Sequence, residues 1–256
     1  QADMATCSHP VFSSIYSTEH IFDLPIEEMP MRRPRSCNRV LAPDWVPLLV
    51  RLWNLDMISC IATSDVPVLD GLQVTADFFG VIKKASKLLR LILDRRRRNC
   101  MEKPIRRVLM EYAMENSLDV DLLAFLLRLT VLPHSCMLLD MVLDYDETFI
   151  ADLEDVMAFF YSLRWPACRF SENCVGAPVR PSSLLAAGAV KEKEILRRLV
   201  DEGDLHFQPA LTCPAMGDQK ASEATQAFGQ YLLHLKGLLT DQTWMTYGMH
   251  TAPSYR

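Results

Sequence analysis

Three short stretches hold side chains whose types and spacing could do chemistry. The first, KKASKLLRLILDRRRRN at 83–99, strings Lys83, Lys84 and Arg90 before the run Arg95, Arg96, Arg97, Arg98. A guanidinium forks onto two oxygens and a lysine ammonium acts as a point charge, so several on one short stiff element suit phosphates. The second, FIADLEDVMAFFYSLRWP at 149–166, sets two aspartates, Asp152 and Asp155, ahead of the aromatics Phe159, Phe160 and Tyr161. The third, LTCPAMGDQKASEATQAFGQ at 211–230, puts Met216 and Gly217 in a turn just before a helix. A glycine there lets backbone approach a ligand closely, next to the free N–H groups of a helix start.

Charge singles out the first stretch. Eleven Lys and Arg lie between Lys83 and Arg107 against only Asp94 and Glu102, in a chain whose net charge is −5. A local positive field on an acidic protein points to a polyanion partner, although a solvated charge run has the same composition. The eight cysteines show no CxxC pair, which fits reduced, mostly buried thiols in an intracellular protein better than zinc ligands. No apolar run reaches the ~18 residues of a membrane span. No basic start followed by an apolar block marks a secretory signal. The expected location is therefore intracellular, cytoplasmic or nuclear. The first residue, Gln1, suggests a fragment or processed product. There is no GxxxxGK[ST], GxSxG or HExxH, and the six histidines are isolated.

The elements that must position these residues are legible in part. Residues 1–40 carry four prolines and no sustained period, and read as an irregular arm or linker. Pro104 stands at a helix start, with Ile105, Leu109, Tyr112 and Ala113 at helical spacing, and a second helix follows Asp119 or Asp121. Thr148–Leu153 reads as a strand running into a short aromatic helical turn that Pro166 stops. Residues 189–204 form an amphipathic helix with Glu192, Glu194, Arg197 and Arg198 on its wet side, and 219–239 form the last strong helix. The 81–99 segment is ambiguous. Alternation of Leu89, Leu91 and Leu93 with Arg90, Ile92 and Asp94 fits a strand, whereas propensity slightly favours a helix.

Together, in order and internal spacing, the three stretches resemble landmarks of reverse transcriptases, the RNA-directed DNA polymerases of retroelements and retroviruses. The first resembles the fingers hairpin, a lysine and then R-x-(apolar)-x-D-x-R-x-x-N, matched by Lys83, Arg90, Asp94, Arg96 and Asn99. The family usually has Gly or Asp at the hairpin turn, where this chain has Ala85, Ser86 and Lys87. The resemblance implies that Lys83, Lys84 and Arg90 reach the triphosphate of an incoming nucleotide and that Arg95–Arg98 face nucleic acid. It assigns the catalytic carboxylate, a ligand of magnesium, to Asp155, with Asp152 as the runner-up. Phe160, five residues past Asp155, takes the place of the aromatic that blocks a 2′-hydroxyl. The third stretch resembles the turn and helix that support template and base, through Pro214, Gly217, Ala221, Ser222 and Gln226. Met216 stands where many members carry Gln.

The fold so implied is α+β and helix-rich, with reverse transcriptase-like fingers at 41–147 and an incomplete palm at 148–256. Its partners are an RNA/DNA primer–template and a deoxynucleoside triphosphate, its cofactor is Mg2+, and no membrane is involved. One part is missing. The family's second and third carboxylates come from a later aromatic-x-Asp-Asp hairpin, yet Asp241 is the only acidic residue after Gln226. Two-metal chemistry needs more than one carboxylate. The expectation is thus a polymerase by lineage, inactive as this fragment, with a non-catalytic nucleic-acid-binding or scaffold remnant as the alternative. A mostly helical interaction domain with coincidental matches is the third reading. All rest on one geometric expectation: 81–99 is a strand-bearing ribbon over Asp155, and the Gly217 bend floors the same hollow.

Overall fold

The computed structural model describes residues 1–31, 34, 39–69, 71–82, 89–131 and 159–240. Their elements run β1 (Ala2–Asp3), α1 (Met4–Cys7), α2 (Pro10–Ser17), α3 (Ala42–Asn54), β2 (Ile58–Ala62), β3 (Val68–Leu69) and β4 (Leu72–Gln73). Next come β5 (Asp77–Ile82), β6 (Leu89–Asp94), α4 (Arg96–Asn99), α5 (Ile105–Glu115), α6 (Val120–Leu129), α7 (Phe159–Ser162) and β7 (Leu163–Arg164). A 3₁₀ segment at Ala167–Asn173, α8 (Pro181–Ala186), α9 (Lys193–Asp201), β8 (Phe207–Leu211) and α10 (Gln219–Leu235) complete the order. The class is α+β. The expected strand at Thr148–Leu153 lies outside the described residues.

The strands pair in twos: β5 with β6, β2 with β8 and β3 with β4 antiparallel, and β1 with β7 parallel. Among the described residues of 81–99, the ambiguity resolves as the end of β5, the strand β6 and a short helix, with Val81 opposite Arg90 and Asp77 opposite Asp94. Pairing overrides the local helix propensity because Phe78 and Leu93, directly opposite each other, are both buried in one core. Pro104 and Asp119 precede α5 and α6 as expected, and the Asp119 carboxylate accepts from the Asp121 and Leu122 N–H groups.

Two apolar cores form, and the expected division at 147/148 separates neither. One gathers Phe12, Ile15, Tyr16, Ile105, Leu109, Leu126, Trp165, Ala224 and Phe228. The other gathers Leu49, Trp53, Phe78, Leu93, Val175, Leu196, Phe207 and Leu211. Both mix early and late residues, and in the second β2 is paired along its whole length with the distant β8.

The reading of residues 1–40 as an irregular arm is corrected for their first half. Met4, Phe12, Ile15, Tyr16 and Phe22 are fully or almost fully buried, and β1 is paired to β7. Pro10, which looked like a breaker, sits in the first turn of α2, where a missing N–H is harmless. His9 Nδ1 accepts from the Val11 N–H at 3.2 Å and caps the same end. Two turns are too few for a period to show in sequence. Phe12→Ala is therefore expected to destabilise the chain by about 3–5 kcal/mol in a urea titration, the range for emptying an aromatic site in a core. A change under roughly 0.5 kcal/mol, the usual surface value, would restore the arm reading.

Candidate functional site

Strand β6 is the spine of the site, and two neighbouring segments bond to it. The Leu93 N–H donates to the Met216 carbonyl at 2.9 Å, which seats the 214–218 turn on the strand. Gly217 makes this possible. Its φ of +105° disfavours any L side chain, and a Cβ there would overlap the Leu93 carbonyl oxygen, with the carbonyl carbon only 3.0 Å away. Asn99, at the end of α4, donates to the Gly217 carbonyl at 2.8 Å and accepts from the Gln219 N–H at 3.3 Å. From the other segment, the Tyr161 hydroxyl donates to the Leu91 carbonyl at 3.4 Å. Burial raises the Tyr161 pKa, Cys213 adds to that, and the charge of Arg90 pulls the opposite way.

Beside Gly217 lies a cleft of about 430 Å³ lined by Arg39, Phe79, Ile92, Leu93, Asp94, Arg95, Arg96 and Gly217. Arg90 is exposed, and it shares the strand face of Ile92 and Asp94 by alternation. Arg96 is also exposed, its guanidinium held by the buried Asp94 carboxylate at 2.7 and 2.8 Å. That pairing also answers the Asp77–Asp94 juxtaposition, where burial and then Asp94 raise the Asp77 pKa. Arg39 is exposed and is tied to β5 through its backbone N–H, which donates to the Phe78 carbonyl at 3.2 Å. Sequence reading missed Arg39 because it fell in the presumed arm. The signal was the basic run Arg32, Arg33, Arg35, Arg39.

Of the expected site residues, Arg90, Arg96, Met216 and Gly217 gather on or against β6. Phe160 is half-buried on α7, next to Tyr161, and Gln226 is half-buried on α10. Arg97 is partly exposed and reaches the Gln73 carbonyl at 3.4 Å. Lys83, Lys84, Asp152 and Asp155 lie outside the described residues, so the expected approach of the hairpin to Asp155 does too. Among the described residues no group of three or more His, Cys, Asp or Glu side chains could hold a metal ion. The described cysteines are free; Cys7 is exposed, whereas Cys174 and Cys213 are buried, with burial pushing both thiols up to about 12.

Two arginines of the run differ from expectation. Arg95 and Arg98 do not face solvent: their side chains are 0% and 5% exposed. The turn into α4 points the first and fourth members of the run inward, where carboxylates wait. Arg95 makes a bidentate pair with Glu102, at 2.5 and 2.9 Å, and reaches Asp218 at 3.2 Å. Arg98 pairs with Glu102 at 2.8 Å and Asp23 at 2.5 Å. Lys220 bonds Glu102 at 2.9 Å and Glu172 at 3.3 Å, and Arg169 closes the set on Glu172. Four cations meet four carboxylates, so the cluster presents little net charge to a ligand. Direct contact with nucleic acid is withdrawn for Arg95 and Arg98, and the exposed positive charge of the run is reduced to Arg96 and Arg97.

Comparison with protein-family models, with curated proteins and with solved structures finds no match. No helix among the described residues is long and apolar enough to cross a membrane.

Proposed function

We propose that the chain is a reverse transcriptase-like domain of a retroelement, and that the face around β6 binds a primer–template and a deoxynucleoside triphosphate. The observation that carries this reading is the seating of the Gly217 turn on β6. It joins two sequence-distant stretches that resemble motifs of one family, it leaves Arg39 and Arg96 exposed along a cleft with backbone accessible at Gly217, and Arg90 is exposed on the same strand. Exposed guanidinium groups on a paired strand suit phosphate oxygens, and a glycine floor admits a base or sugar at close range. Phe160 is proposed as the group that favours a deoxy sugar. Asp155, with Asp152 as the alternative, would hold magnesium, whose part is to neutralise phosphate charge during transfer. Neither carboxylate is among the described residues, so nucleotidyl transfer is assigned to the lineage, and binding to the residues above.

A nucleotide titration tests the reading. Lys83→Ala combined with Arg90→Ala should weaken triphosphate binding by roughly tenfold or more, the scale of losing one or two charge-assisted hydrogen bonds, with the thermal midpoint unchanged. Unchanged affinity would count against the site. Primer–template binding that falls steeply with salt, without nucleotide incorporation on an extended reading frame, would favour the non-catalytic remnant instead.

A further inference from the structure

The buried cluster beneath the cleft is not needed to bind phosphate, yet it sits where the ligand-facing parts are joined. Arg95 follows β6 directly, and its guanidinium touches groups from four separate places. These are Asn99 of α4 at 3.2 Å, Glu102 at 2.5 and 2.9 Å, the Glu172 carbonyl at 3.3 Å and Asp218 at 3.2 Å. Asp218 is the residue after Gly217, and its carboxylate also accepts from the Lys220 N–H at 2.9 Å, capping α10. Arg95 thus ties the exit of the hairpin to the residue that ends the glycine turn. A hydrophobic side chain could fill such a site at least as stably, since burying charges is expensive, whereas a planar fork fixes direction as well as distance.

We propose that Arg95 is a positioning residue for the ligand face: by bridging Asn99, Glu102 and Asp218 it fixes the 216–218 turn against β6, so that Arg90, Arg96 and Gly217 meet one ligand together. The inference rests on the binding function proposed above. It predicts an effect on affinity from a side chain that is 0% exposed.

Asp218→Asn is the informative change. Asparagine keeps the N-cap acceptor of α10 but removes the charge that draws Arg95 to the turn. Binding of an RNA–DNA primer–template hairpin to the full chain would be measured across a salt series, for the wild type and the variant. The expected result is roughly five- to tenfold weaker binding with an unchanged slope of log affinity against log salt. A direct phosphate contact would instead lower that slope by about one. If Asp218→Asn does not fold, Arg95→Lys carries the same test, because it keeps a charge but loses the fork. Wild-type affinity in either folded variant, or a lowered slope, overturns the inference. Failure of both to fold overturns it too, because the cluster is then purely structural. Failure of the wild-type chain to bind the hairpin at all is a separate result; it removes the proposed function and this inference with it.

Discussion

Gly217→Ala is expected to remove ligand binding and to lower stability by about 3 kcal/mol or more, a fall in thermal midpoint of roughly 10 °C for a chain of this size. Two penalties combine. At φ of +105° an L side chain is strained whatever surrounds it, and here the new Cβ would overlap a backbone oxygen that belongs to a paired strand. A flexible neighbour could move aside; the Leu93 carbonyl cannot without disturbing β6. Relief therefore means lifting the turn, which breaks the Leu93-to-Met216 and Asn99-to-Gly217 hydrogen bonds. Gly203→Ala supplies the control, because Gly203 also has positive φ, +119°, but opens onto empty space. That change should cost only about 1 kcal/mol. Thermal melts of the two variants side by side decide the matter. A Gly217→Ala chain as stable as Gly203→Ala, with binding intact, would mean that the close approach of turn and strand is not needed.

How much of this was legible in the sequence depends on the range of the interactions. Helix starts at Pro104 and Asp119 were readable because a cap and a fixed φ act within one turn. The β6 strand was readable only in part: the alternation of Leu89, Leu91 and Leu93 fits a strand, propensity slightly favours a helix, and what decides is Phe78 packing opposite Leu93. β2 and β8 escaped entirely: residues 58–62 carry no clean alternation, and their pairing spans more than half the chain. At the candidate site, Arg90 and Gly217 were singled out through the resemblance, whereas the fates of four adjacent arginines could not be told apart. Identical side chains differ only in which way the turn into α4 points them, and that depends on Glu102, Glu172 and Asp218 arriving from elsewhere. Arg39 was lost for the complementary reason, since its backbone bond to the distant Phe78 helps bring it to the cleft.

The hub of the buried cluster is Glu102, and Glu102→Gln should destabilise the chain by about 3–5 kcal/mol at neutral pH. That is the usual range for removing one partner from a buried ion pair. The carboxylate faces Arg95, Arg98 and Lys220 at 2.5 to 2.9 Å, so its loss leaves three cations in a dry site with fewer anions than charges. An amide of the same shape can still accept a hydrogen bond but brings N–H donors toward guanidinium groups. pH gives a second, independent reading. Burial pushes the Glu102 carboxyl upward, but Arg95, Lys220 and Arg98 overcome that and hold its pKa well below the ordinary carboxylate range. A carboxylate depressed on folding contributes stability that is complete above its unfolded pKa, about 4.3, and drains away as pH falls toward the folded value. Wild-type stability should therefore drop steeply below about pH 4, while the glutamine variant, with no proton to gain at this position, should drop less. The gap between the two chains ought to narrow with acid. Urea unfolding at a series of pH values measures it directly. A variant within about 1 kcal/mol of wild type at neutral pH, or a gap that stays constant on acidification, would show that Glu102 is not the counter-charge holding these cations in place.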